Sequence, residues 1–228
     1  MNASVHSIDR TPSSAFGLSI DRVGRPDPLF VALRRRIAGH YVVDPFGLDA
    51  QLCDLAAPVM SAAVRVEIDG AEHLPVSGPA VLVTNRGLGA LEPAALAVAV
   101  QRTTGRRVRI IGAPSARGLG AALRRLGAIA ASADDVRSAL EAGHLVVVPM
   151  ASGFGRGEEP PLDLVQTLMG TTVVPVAVRA KGPIGTGLAG WRVLVGAPIV
   201  ADPSIPLGDP LGAAELSEHV RATIEMLT

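Results

Sequence analysis

The chain has 228 residues, 48% of them hydrophobic and 18% charged, with a formal net charge of zero. That is enough apolar material for one substantial core, and too balanced a composition for a chain disordered throughout. Zero net charge argues against a general nucleic-acid binder, and the lone Cys53 excludes an internal disulfide and a cysteine metal cluster, so no metal site is expected.

Aromatic residues make up only 3%, so the core has to be built from Val, Leu, Ile and Ala. The first residues, MNASVHSIDRTPSSAFG, lack a basic start followed by an apolar stretch, and no run of 18 uncharged apolar residues occurs. Neither a signal peptide nor a spanning helix is expected, which makes the cytoplasm the default location. Peripheral attachment to the inner face of a membrane stays open.

Residues 1–26 are polar and broken by Ser, Gly and Pro, and read as a mobile arm. Residues 27–228 read as one domain, with N-terminal helices within 28–63. Pro28 opens a first helix running to about Ile37, whose Arg34–Arg36 run reads first as a solvated helix end. Val42–Leu48 is a link. Asp49 then caps a helix reaching about Val64, with Leu52, Leu55, Val59 and Ala63 on one side, ready to pack on a sheet or touch lipid. Val64–Ile68 alternates as a strand does and ends at the Asp69-Gly70 turn.

Ala80–Thr84 is a short strand read as fully buried, stopping at Asn85, and a helix enters near Glu92 and ends at Gly105. Arg107–Gly112 is a strand and Ala116–Leu126 a helix weakened by Gly118 and Gly120. Gly127–Ala131 is a brief strand or a turn, and Ala133–Ala142 a helix with Asp134 and Asp135 in its first turn. Leu145–Pro149 is a continuous apolar strand of the parallel, buried kind. A helix over Leu162–Met169, a strand over Val173–Val178, strands at Trp191–Val195 and Pro198-Ile199, and a C-terminal helix over Leu211–Leu227 complete the chain. The alternation gives an α/β class: a single domain with a mixed, mostly parallel sheet flanked by helices, its core over 64–200. In such a sheet, ligands bind outside the carboxyl ends of the strands, which points to the corner at Asn85.

Six stretches carry a resemblance. Val66–Pro79 reads VEIDGAEHLPVSGP, Val81–Asn85 reads VLVTN, and Leu123–Ile129 reads LRRLGAI. Val147–Pro149 follows, then Val173–Val178 as VVPVAV and Val195–Ile199 as VGAPI. In this order and spacing, over about 64–200, the chain resembles the glycerolipid acyltransferase superfamily, which includes lysophosphatidate and glycerol-3-phosphate acyltransferases. The resemblance implies that family's fold and chemistry. There, a His-x4-Asp pair follows the Asn: the His removes a proton from an acceptor hydroxyl, the Asp orients the ring, and the freed oxygen attacks an acyl thioester.

The departures fall on the reacting residues. Arg86 stands where the family has His, and a guanidinium stays protonated with no lone pair to accept a proton. Leu91 stands at the Asp position, or Glu92 if the loop carries one inserted residue. Ser132 replaces the terminal Arg of the second motif, and Val148-Pro149-Met150-Ala151 lacks the Glu of the third. Glu92 is the corner's one carboxylate. It is read as a weak base, as a partner of Arg86, or simply as an acid favouring its helix N-terminus. His144 precedes a strand and belongs at the opposite edge; His40 and His73 lie in loops, and His6 and His219 near the termini.

Ser115 and Ser152 follow strand ends, but neither sits in G-x-S-x-G, so they are candidates for substrate contact rather than nucleophiles. Every charge between Pro93 and Ala133 is an arginine: Arg102, Arg106, Arg107, Arg109, Arg117, Arg124 and Arg125. Such a one-signed surface suits a phosphate, a coenzyme A tail or an anionic head group, with Arg86 and Arg117 the first choices and Arg109 and Asn85 beside them.

Two readings follow. In one, the chain is a non-catalytic relative that binds a lipid, an acyl chain or a protein partner. In the other, it is an active acyltransferase moving a fatty acyl group from acyl-CoA or acyl carrier protein to a phospholipid precursor or other hydroxyl acceptor. Neither needs a permanently bound cofactor. A lipid or acyl thioester is the expected ligand, with peripheral contact to an anionic membrane compatible with both and nucleic acid with neither.

Overall fold

The structure is a computed structural model of the chain and describes residues 34, 38–39, 41–85, 92–112, 119–150, 170–181, 190–200, 204–206 and 208–228. The chain divides into two compact units, 1–41 and 42–228. The second carries helix α1 (Ala50–Ala63), strands β1 (Val66–Asp69) and β2 (Ala80–Thr84), α2 (Glu92–Thr104), β3 (Val108–Ile111), α3 (Leu119–Arg125) and β4 (Ala128–Ile129). Then come α4 (Ala133–Glu141), β5 (Leu145–Pro149), β6 (Val173–Lys181), β7 (Gly190–Val195) and α5 (Pro210–Leu227).

The strands form one seven-stranded sheet in the order β1-β7-β6-β2-β5-β3-β4. β2 pairs in parallel with β5 and β6, β3 with β5 and β4, and β1 with β7. β6 and β7 meet antiparallel, so β1 and β7 run against the other five. The expected mixed, mostly parallel α/β architecture is therefore present. β2, in the middle, is buried along its whole length.

Side chains of a strand alternate between faces, and the core divides accordingly. Val81, Val83, Val146, Val148, Val173 and Ala177 point to one face, where Val136, Ala139 and Leu140 of α4 and Val220 and Ile224 of α5 cover them. Ala80, Leu82, Leu145, Val147, Val174 and Val176 point to the other, under Leu96, Ala99 and Val100 of α2. Helix, sheet and helix make three layers, and β-branched side chains fill the pleated surfaces between them.

Local chemistry sets the element ends. The Asp49 carboxylate caps α1 by accepting from the Leu52 N–H at 2.8 Å, and Ser132 caps α4 by accepting from the Asp135 N–H. Gly70 turns the chain after β1 with φ +73°, and a β-carbon there would lie 2.1 Å from the Val195 carbonyl oxygen, so both conformation and space demand glycine.

Some boundaries differ from the expected ones. β6 runs on to Lys181, because β7 supplies partners for Arg179, Ala180 and Lys181 beyond the reach of β2. No residue of α1 is buried, and Val59 is 65% exposed, so its apolar side is not packed into the sheet. The expected helix at 162–169 and most of the first helix lie outside the described residues.

Leu82 is fully buried in the central strand. Leu82→Ala is expected to lower unfolding stability by about 2–5 kcal/mol, and Val59→Ala by no more than about 0.5 kcal/mol, as measured by urea denaturation.

Candidate functional site

β2 ends beside a neighbour that continues. β6 passes beyond Thr84, so its next backbone donor toward β2 would face no strand. Asn85 resolves this. Its backbone N–H donates to the Val176 carbonyl at 3.3 Å, and its side-chain Oδ1 accepts the Val178 N–H at 2.9 Å. The amide side chain thus takes the ladder position that a further residue of strand would have held. On the other side, the Met150 N–H donates to the Thr84 carbonyl at 2.9 Å. Asn85 is therefore an anchor that fixes where the chain leaves the sheet.

Glu92 opens α2 after the corner loop and is buried, as is Thr84 at the end of β2. A carboxylate in the first turn suits the positive end of the helix dipole. Arg86, Leu91, Ser115, Arg117 and Ser152 lie outside the described residues, as does His40. Of the described histidines, His73 contacts the Val195 carbonyl through Nδ1 at 3.1 Å, on the far side of β6 from β2. His219 is exposed on α5, and His144 precedes β5 at the amino edge, as its position in the sequence requires.

The arginines do not gather where the sequence placed them. Arg109, expected near the carboxyl corner, is the second residue of β3 and is 2% exposed. Its Nη2 donates to Asp44 Oδ2 in a short ion pair. Arg106 donates to the carbonyls of Pro75, Gly78 and Gly143 at 3.0, 2.7 and 2.7 Å, tying together the loops that lead into β2 and β5. Arg102 donates to the Ser61 carbonyl at 2.9 Å, and Arg107 pairs with Asp54 at 2.5 Å. The physical reason is topological: residues that precede or open a parallel strand lie at its amino edge, opposite the corner at Asn85.

At that amino edge stands a cluster the sequence reading missed. Asp44 Oδ1 accepts from the N–H groups of Phe46 and Leu48 at 3.0 and 2.9 Å, folding 44–48 into a turn. The Phe46 ring meets His144 edge-on at 5.4 Å, and the Arg109 guanidinium lies 5.4 Å from the Phe46 ring centre. His144 Nε2 is 3.5 Å from Arg109 Nη2. Asp44, Arg109 and His144 border an open groove of about 520 Å³ with Val42, Val43 and Leu48. One signal was available: Arg109 and His144 both open neighbouring strands. Nothing in the spacing pointed to Asp44.

Burial pushes the Asp44 carboxyl up, but the Leu48 N–H, the Arg109 guanidinium and the Phe46 N–H together outweigh it and hold the group below its ordinary 3.8. Burial first, then the positive charges of Arg109 and Arg106, hold His144 below its ordinary 6.5, against the pull of Asp44. Burial raises the Cys53 thiol, whose Sγ lies 3.7 Å from the Arg125 carbonyl, as fits an inert, half-buried cysteine. Among the described residues no group of three or more His, Cys, Asp or Glu is placed to hold a metal ion.

Asn85→Ala leaves the Val178 N–H without its acceptor and is expected to cost about 1–3 kcal/mol in urea denaturation. Because folding lowers the His144 pKa, the unfolded chain takes up the proton first. The stability linked to this group is full above about pH 6.5 and is lost as the pH falls below it. That of Asp44 is lost only at lower pH, from about 3.8 downward, by the same sign. The difference in urea midpoint between the natural chain and His144→Gln should therefore change between pH 8 and 5.

No model of a known protein family matches the chain. Uncharacterized proteins of Mycobacterium bovis and Mycobacterium tuberculosis are each 28% identical to it over 85% of this chain and 70% of the relative. One of Mycobacterium leprae is 27% identical over 85% and 68%. Among solved structures, the 1-acyl-sn-glycerophosphate (LPA) acyltransferase PlsC of Thermotoga maritima superposes with a TM-score of 0.54 at 13% identity, covering 86% of this chain and 87% of that one. Among the described residues no helix is long and apolar enough to cross a membrane. With its seven-stranded sheet clothed in helices on both faces, the chain has the α/β fold seen in that acyltransferase.

Proposed function

We propose that the chain is a binding protein on an acyltransferase fold, holding an acyl chain or lipid ligand at the carboxyl end of β2 without transferring the acyl group. One observation carries this reading. Directly after the Asn85 anchor, where the resemblance calls for an imidazole base, the sequence has Arg86. A guanidinium can hold a phosphate or a thioester oxygen by charge-assisted hydrogen bonds, but it cannot take a proton from an acceptor hydroxyl. The described histidines support the same reading, since His73, His144 and His219 belong to other parts of the fold. Loss of a general base alone removes a factor of roughly 10²–10⁴ in rate.

A second reading, active acyl transfer from acyl-CoA or acyl carrier protein, is favoured by one feature: the buried carboxylate of Glu92 opens the helix that follows the corner. Peripheral contact with an anionic membrane is compatible with both.

The two separate in one assay. Purified protein is mixed with a long-chain acyl-CoA and lysophosphatidate, thiol release is followed, and acyl-CoA binding is measured in parallel. Saturable binding with thiol release no faster than in buffer is expected. Steady turnover that disappears in Glu92→Gln would sink the binding-protein reading and establish the second.

A further inference from the structure

The groove at the amino edge of β3 and β5 has a feature that the corner at Asn85 does not explain. Arg109 lines it and is 2% exposed, yet its Nη1 has no hydrogen-bond partner among the described residues. The other arm of the same guanidinium is engaged by Asp44. A charged donor withdrawn from water and left without an acceptor is unfavourable, and buried guanidinium arms are rarely left so. An oxygen acceptor belongs there.

We propose that this groove is an oxyanion site, in which a carboxylate or phosphate group accepts from Arg109 Nη1. The charge of the wall fits. Of the lining residues, Arg106, Arg107 and Arg109 are cationic and Asp44 is anionic. Asp54, just outside, pairs with Arg107, and Asp44 pairs with Arg109, whereas among the described residues Arg106 donates to three carbonyls. His144 does not repel the Arg106 charge, because burial and the neighbouring Arg109 and Arg106 disfavour its protonation. An incoming anion meets the Arg106 guanidinium, fixed in place by its hydrogen bonds to three carbonyls.

The size and the remaining lining specify more. About 520 Å³ is several times the space that a bare carboxylate or phosphate fills. Val42, Val43, Leu48 and Ala50 supply an apolar wall, and Val42 is 83% exposed. The ligand is therefore an anion carried on a short apolar body, with its charged end at Arg109 and its methylenes along the valines. This site lies at the opposite edge of the sheet from Asn85 and does not depend on what the corner binds.

Calorimetric titrations of the full chain with inorganic phosphate, acetate and hexanoate test it. Saturable binding is expected. Hexanoate tighter than acetate would identify an anion on an apolar body, whereas phosphate tighter than both would identify a free inorganic anion in the same site. Arg109→Lys keeps a cation for Asp44 but lacks the second arm, and should weaken binding about tenfold or more, the loss of a charge-assisted hydrogen bond.

Should that variant fail to fold, Gln51→Glu serves. It adds a negative charge to the groove from an exposed position in the first turn of α1, and it should also weaken binding without lowering the urea midpoint. A third readout is the His144 imidazole titration by NMR. The groups facing that ring are Arg109, Arg106, Asp44 and Phe46, so a bound anion should move its pKa upward. No saturable binding of any probe at tens of millimolar would overturn the proposal and assign Nη1 to a buried water. Binding that neither variant weakens would overturn it as well.

Discussion

A strand that is dry on both faces has chemistry to offer only at its two ends. β2 is such a strand: it is the central strand of the seven and lies inside the parallel block, helices cover it above and below, and all five of its residues are buried. Polar groups along its length are consumed by the hydrogen-bond ladder with β5 and β6. Unpaired backbone groups of this strand are found only where that ladder stops. The molecule accordingly has two polar edges, separated by the length of the strands, and each is built differently.

The carboxyl edge is fixed by one side chain. Because β6 outruns β2, a backbone donor would be stranded there, and the Asn85 carboxamide accepts it. A residue that performs this service cannot also turn freely toward a ligand. Its role is to hold the following loop at a constant point of departure. The amino edge is fixed by guanidiniums. Arg106 spends its donors on loop carbonyls, where irregular backbone would otherwise lack partners, while Arg102 donates to the Ser61 carbonyl in the last turn of α1 and Arg107 pairs with Asp54. Arg109 reaches deeper and depends on Asp44, since a buried cation without a carboxylate would be strongly unfavourable.

The shared fold with a lysophosphatidate acyltransferase and the absence of an imidazole after Asn85 belong to different levels of description. The fold is a matter of apolar strands, crossovers and three layers, and it tolerates very low sequence identity. Acyl transfer is a matter of a proton acceptor within reach of a hydroxyl. A fold hosts many activities, and the residues at its sites decide which.

Much of the architecture was legible in the chain itself. Ala80–Thr84 and Leu145–Pro149 are strands at the expected boundaries, because unbroken apolar runs flanked by polar or turn residues leave little choice. Asp49 caps α1 and Ser132 caps α4, since short polar side chains before a helix answer its orphan N–H groups locally. The stripe of Leu216, Val220, Ile224 and Leu227 on α5 does face the core. These are effects of near neighbours, and sequence records near neighbours directly.

What depended on strand order was not legible. The sequence reading placed Arg109 near the ligand corner, whereas the sheet puts it at the other edge. It gave no sign that Asp44, Arg109 and His144 meet, because 65 and 35 residues separate Arg109 from its two partners. Contacts between distant segments arise only once β3 is laid beside β5 and the 44–48 turn closes over their ends. The sequence thus determined the layers, the helix caps and the absence of an imidazole after Asn85. The tertiary structure alone decided which cations are buried, which carboxylate answers them and which donor is left over, because burial and pairing belong to the packed sheet and not to any stretch of chain.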